Sequence, residues 1–114
     1  MPYIHTQTTV KITKEKEEIL KAKLGKAIEC IPSKDESWLM LAFDDEARMW
    51  FKGDNSAPIA WVEVKIFGKS EKQYYEAMTK NVCAVMGEEL GIPADRVYVK
   101  YEECSQWGWN HMIF

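Results

Sequence analysis

The sequence predicts an α/β fold built from two βαβ units, and three observations carry that expectation. A strand–helix–strand succession occurs twice, over Tyr3 to Phe43 and over Ala60 to Glu103. Each succession contains a segment whose apolar residues recur at helical spacing. The segment Ala60 to Phe67 alternates cleanly, with Val62, Val64 and Ile66 on one face and Glu63 and Lys65 on the other.

Taken in order, Tyr3 to Val10 reads as a strand with Ile4, Thr6 and Thr8 on one face and Tyr3, His5 and Gln7 on the other. Thr13 caps the helix that follows. Its apolar stripe is Ile19, Leu20, Leu24, Ala27, Ile28 and Ile31, its wet side carries Lys14, Glu15, Glu17, Glu18, Lys21 and Lys23, and Pro32 stops it. Gly25 inside this helix costs roughly 1 kcal/mol relative to alanine. The run Trp38 to Phe43 is continuously apolar, which predicts a strand buried on both faces. Lys34, in the loop before it, is the cation nearest that strand's start. Met49-Trp50-Phe51 reads as a short strand, followed by the turn-rich loop Lys52 to Pro58. After the strand Ala60 to Phe67, Ser70 and Gln73 form a capping box for a second helix with the stripe Tyr75, Met78, Val82, Val85, Met86 and Leu90, closed by Gly91 and Pro93. In the last long strand Val97, Val99 and Tyr101 face one way and Tyr98, Lys100 and Glu102 the other.

At 114 residues the chain is expected to be a single domain, residues 1–114. Fifteen basic and 18 acidic residues give a net charge of −3 without a basic stripe, which argues against a nucleic-acid partner. No apolar run is long enough to span a bilayer. Tyr3 to Thr9 is too polar for a signal-peptide core, so the expected compartment is the cytoplasm. Cys30, Cys83 and Cys104 have neither disulfide nor zinc spacing, and His5 and His111 sit at opposite ends; no metal is expected. The helix-free strand faces carry His5, Gln7, Glu63, Lys65, Lys100 and Glu102 among Tyr3, Trp61 and Tyr98. That mixture is too polar for a monomer core and too aromatic for plain exposure. A closed ring of subunits would account for it and would protect the sheet edges.

The start, Met1-Pro2, offers a distinct chemistry. Removal of Met1 would leave Pro2 as a secondary amine at the head of a strand. Burial or a neighbouring lysine would lower its pKa, and a neutral amine can take a proton from carbon beside a carbonyl. Proline is about a twentieth of all residues, so this start does not by itself decide the matter.

The motifs Gly91-Ile92-Pro93-Ala94-Asp95-Arg96-Val97-Tyr98-Val99-Lys100-Tyr101 and Trp107-Gly108-Trp109-Asn110 with Phe114 are more specific. Joined to Pro2, to Ile66-Phe67-Gly68-Lys69 and to Phe51, Gly53, Pro58 and Ala60, they make the whole chain resemble the macrophage migration inhibitory factor family of the tautomerase superfamily. That resemblance implies a four-stranded mixed sheet with two helices on one face, assembled as a homotrimer. It also implies keto–enol tautomerisation of arylpyruvates such as phenylpyruvate, with no metal and no organic cofactor.

Residue by residue, the resemblance implies Pro2 as catalytic base and Lys34 as the partner of the substrate carboxylate. It implies Phe67 as a backbone N–H and apolar wall, Tyr98 as an aromatic residue donated by a neighbouring subunit, and Trp109 as a residue of the rim. Lys100 replaces an asparagine typical of animal members; together with Lys34 it would form an anion-binding pocket, or else remain a solvated surface residue. Ile59 and Val62 stand in place of a C-x-x-C pair, so thiol–disulfide activity should be absent. His111, Met112 and Ile113 replace small polar residues, and positions after Cys104 look deleted. Two other readings stay open: a leaderless secreted, cytokine-like protein that binds a receptor, and decarboxylation or dehalogenation at a related proline.

Overall fold

The computed structural model describes residues 1–114. Its main sheet has four strands: β1 (Pro2–Thr8), β2 (Met40–Asp44), β3 (Ala60–Phe67) and β4 (Val97–Cys104). Their spatial order is β2-β1-β3-β4, with β1 parallel to β2, β3 parallel to β4 and the two central strands antiparallel. Helices α1 (Lys14–Ala27) and α2 (Lys72–Leu90) are the crossovers of the two βαβ units and cover one face. A small hairpin, β5 (Gly108–Trp109) and β6 (Met112–Ile113), ends the chain.

Alternation explains the core. Ile4, Thr6 and Thr8 from β1 and Val62, Val64 and Ile66 from β3 are fully or almost fully buried under Leu20, Leu24 and Ile28 of the first unit and Met78, Val82 and Met86 of the second. Each such aliphatic side chain contributes about 1.5–3 kcal/mol on burial. Thr13 Oγ1 accepts from the Lys16 amide and starts α1, as its residue type suggests. Gly91, at φ 66°, ends α2 in the left-handed conformation that glycine adopts without a Cβ penalty.

Several expectations are corrected. β2 starts at Met40, not Trp38, because Asp35 accepts from the Ser37 amide and winds Glu36–Trp38 into a 3-10 turn. It is an edge strand rather than one buried on both faces, paired only with β1, and Met40 is 67% exposed. β1 ends at Thr8, two residues early, where Thr8 Oγ1 accepts from the Val10 amide and donates to the Ile59 carbonyl. Ile19 lies off the α1 stripe and is exposed, and the α-helix proper stops at Ala27, with Ile28–Cys30 tightening to 3-10.

Met49-Trp50-Phe51 forms no strand. Phe51 makes a single bridge to Asp54 inside a loop that Arg96 gathers by donating to the carbonyls of Asp54, Ala57 and Pro58. Ser70 does not cap α2 either: its amide donates to Glu103 Oε2, and the helix begins after Glu71 without a side-chain cap. No helix is long and apolar enough to cross a membrane.

Candidate active site

Pro2 opens β1 opposite Ile66 of β3 and is buried, so the start of the chain is fixed at the head of the central strand pair. Beside it is a cavity of about 640 Å³. It is lined by Met1, Pro2 and Tyr3, by Ser37 to Met40, and by Trp107 to Trp109. The lining is mostly apolar, a setting in which an uncharged amine is favoured over its cation.

Phe67 ties the polar side of this place together. Its amide donates to the Met1 carbonyl at 3.0 Å, and its own carbonyl accepts from Lys34 Nζ at 3.0 Å. Lys34 therefore stands next to the amino terminus. The Met1 amine is held below the usual range for an α-amino group, first by burial and then by the charge and hydrogen bonding of Lys34, with Asp35 pulling the other way. An arc of rings closes the rim. Phe67 lies 5.9 Å from Phe114, Phe114 stacks on Trp109 at 6.2 Å, and Trp109 meets Trp38 edge to face at 5.0 Å. Trp109 reaches this position because Asn110 and His111, at φ 50° and 69°, make a two-residue turn between β5 and β6.

Pro2, Lys34, Phe67 and Trp109 are thus brought to one place. Tyr98 and Lys100 are not. Tyr98 pairs with Trp61 in the β3–β4 register, packs on Phe51 at 5.1 Å and is 57% exposed. Lys100 pairs with Glu63 in register and lies 2.9 Å from Glu102, which holds its ammonium above the ordinary lysine range. Within one chain, then, Lys34 and Lys100 do not share a pocket. The helix-free face carrying Lys100 is an ionic lattice: Lys65 lies 3.4 Å from Glu63 and 3.8 Å from Glu102, and Glu63 accepts from the Trp61 indole.

Ser37, Trp38, Leu39, Met40 and Trp107 line the cavity without having been singled out from the sequence as site residues. The signal for Trp38 was present. Asp35 and Ser37 ahead of it are turn-forming types, and a tryptophan leaving such a turn is free to face a cavity.

Comparison with known proteins bears on the family and the fold. The macrophage migration inhibitory factor (MIF) family model matches residues 1–114. The chain belongs to the macrophage migration inhibitory factor family. Its four-stranded mixed sheet with two helices is the tautomerase fold that the motifs implied. The crystal structure of Leishmania major MIF2 is similar to it at a TM-score of 0.92 and 33% identity, covering 100% of this chain and 97% of that one. The MIF homologue of Prochlorococcus marinus has a TM-score of 0.80 and 30% identity, covering 98% of each chain. The macrophage migration inhibitory factor of Xenopus laevis is 33% identical over 64 residues. That alignment spans 54% of this chain and 56% of the Xenopus protein, little more than half its length.

Proposed function

We infer that this MIF-family protein, once it starts at Pro2, is a cofactor-independent keto–enol tautomerase of arylpyruvates such as phenylpyruvate. The observation that carries the reading is the buried chain start placed beside Lys34 in an apolar, tryptophan-walled cavity. In this reading Pro2 is the general base. In the keto-to-enol direction its neutral amine takes a proton from the carbon next to the ketone and delivers it to the enolate oxygen; in the reverse direction it takes the proton of the enol hydroxyl and delivers it to that carbon. Lys34 pairs with the substrate carboxylate, the Phe67 amide donates to it, and Trp109, with Trp38 facing it, holds the aromatic ring.

The functional unit in this account is a homotrimer. The exposed edge of β2 and the polar and aromatic sheet face are features that neighbouring subunits would cover, and Tyr98, which has no place in its own chain's cavity, would enter that of a neighbour. Lys100, close to Tyr98 on the same strand face, would follow it. Light scattering at micromolar concentration should give close to three times the chain mass of 13.3 kDa. A stable, active monomer would refute the donated Tyr98.

A receptor-binding role without catalysis needs neither a buried Pro2 nor Lys34 directed at the chain start, so the cavity favours the enzyme. The direct test is an ultraviolet assay of phenylpyruvate enol-to-keto conversion on protein whose N-terminus has been fixed by mass analysis. Conversion above the buffer rate that disappears in Pro2→Ala is expected. Conversion no faster than buffer alone, with Pro2 confirmed as the first residue, would overturn the reading.

A further inference from the structure

Gly25 lies buried inside α1 at an ordinary helical φ, so it is not there for glycine's conformational freedom. What its missing Cβ leaves is room for the Glu36 side chain. A Cβ at position 25 would stand 2.5 Å from Glu36 Oε2, 2.9 Å from the Glu36 carboxyl carbon and 3.2 Å from its Cγ. Glu36 therefore lays its side chain directly on the helix. Lys21, one turn earlier on the same face, holds the carboxylate with Nζ at 3.4 Å.

Glu36 is also the first residue of the 3-10 turn that presents Trp38 to the cavity and to Trp109, and it follows Lys34 by two positions. The backbone hydrogen bonds of this stretch are local: Lys34 to Ile31, Trp38 to Asp35 and Leu39 to Glu36. No sheet or α-helical ladder fixes it to the scaffold, so side-chain contacts must do so. An exposed ion pair alone holds little. The fit of the Glu36 stem over a bare stretch of helix adds the steric definition that the pair lacks.

We propose that Glu36, seated on Gly25 and held by Lys21, is a positioning residue that fixes the turn carrying Ser37 and Trp38 into the cavity lining and thereby sets its affinity for an aromatic 2-oxo acid. The ligand class rests on the function proposed above; the placing of Trp38 does not.

Gly25→Ala tests this, because it removes the seat while introducing a better helix former. The thermal midpoint should hold or rise, whereas general damage would lower it. The near-ultraviolet circular dichroism of the Trp38–Trp109 pair, read as the difference from Trp38→Phe, should shrink. The Kd for phenylpyruvate should rise about threefold to tenfold, with KM moving more than kcat. Glu36→Ala should act alike, Glu36→Gln should keep most of the affinity, and Gly25→Ala combined with Glu36→Ala should be no worse than Glu36→Ala alone. An unchanged tryptophan signal and unchanged Kd in Gly25→Ala, or additive losses in the double variant, would overturn the proposal. If the parent protein does not bind phenylpyruvate, loss of the tryptophan signal in Gly25→Ala still supports the clasp and overturns only the ligand class.

Discussion

The amide of Phe67 donates to the carbonyl oxygen of Met1 at 3.0 Å, so the first residue of the chain occupies the N–H that the proposed mechanism needs for its substrate. Met1 thus stands in the way twice, by acylating Pro2 and by taking the Phe67 donor. Protein that retains Met1 should bind phenylpyruvate about tenfold or more weakly than protein starting at Pro2, because the carboxylate loses a charge-assisted donor. Titration calorimetry on the two forms checks this without relying on turnover. Equal affinities would mean that the Phe67 amide does not meet the ligand.

Lys34 should act on both binding and protonation. Its charge and hydrogen bonding lower the pKa of the Met1 amine, and a lysine beside the Pro2 amine would act in the same sense once Met1 is removed. A general base works only when neutral, so activity rises with pH through that pKa. Lys34→Ala removes a lowering influence, raises the amine pKa and moves the acid limb of the pH–rate profile to higher pH. The same variant should raise KM for phenylpyruvate about tenfold or more, and should affect an uncharged ketone far less. Equal losses on both substrates would show that Lys34 does not hold the carboxylate.

Much of the fold was legible because burial on one face of a sheet imposes a period of two. The alternation of Val62, Val64 and Ile66 placed β3 to the residue, and Ile4, Thr6 and Thr8 gave the inner face of β1 despite their mixed polarity. The failures have local causes. Trp38 continues an apolar run, and that run outweighs the turn signal of Asp35 and Ser37, whose carboxylate–amide hydrogen bond winds the segment into a 3-10 turn. Ser70 looked like a cap until Glu103, far along the chain, took its amide.

For the site, the pattern singles out Pro2 and Trp109, which line the cavity, and Lys34 and Phe67, which are hydrogen-bonded to each other beside the chain start. It could not show that Phe67 joins Met1 to Lys34, since that contact spans two βαβ units. Nor could it separate Lys100 from Lys34, because only the strand register, which sets Lys100 opposite Glu63, and the ion pair with Glu102 place Lys100 away from the chain start.

Two tyrosines make the protein's stability fall at high pH. Burial first, then the Glu103 carboxylate, pushes Tyr75 up to about 12, and burial pushes Tyr101 up to about 12. Both exceed the ordinary tyrosine value of about 10. A folded-state pKa above the unfolded one gives stability that is complete below about 10 and is lost as pH rises towards about 12. Thermal midpoints should therefore drop steeply across that window, and less steeply in Tyr75→Phe. A drop of the same slope in that variant would contradict the assignment to Tyr75.

His111 holds φ at 69° in the two-residue turn that carries Trp109. The left-handed conformation burdens a residue with a side chain, and glycine is the usual occupant of the second turn position. His111→Gly should stabilise the hairpin by up to about 1 kcal/mol and leave KM for phenylpyruvate within about twofold. Urea unfolding and a Michaelis curve read both, and a loss of stability would show that His111 contributes a contact outweighing its backbone strain.

The free amine of Pro2 is the base in this mechanism, and the presence or absence of Met1 tests that role. Phenylpyruvate tautomerisation is measured for two preparations that differ only in Met1, each verified by intact mass. The account predicts full activity for the chain starting at Pro2. It predicts a loss on the order of 10²–10⁴ when Met1 is retained, the usual cost of removing a positioned general base. Equal rates in the two preparations would contradict it.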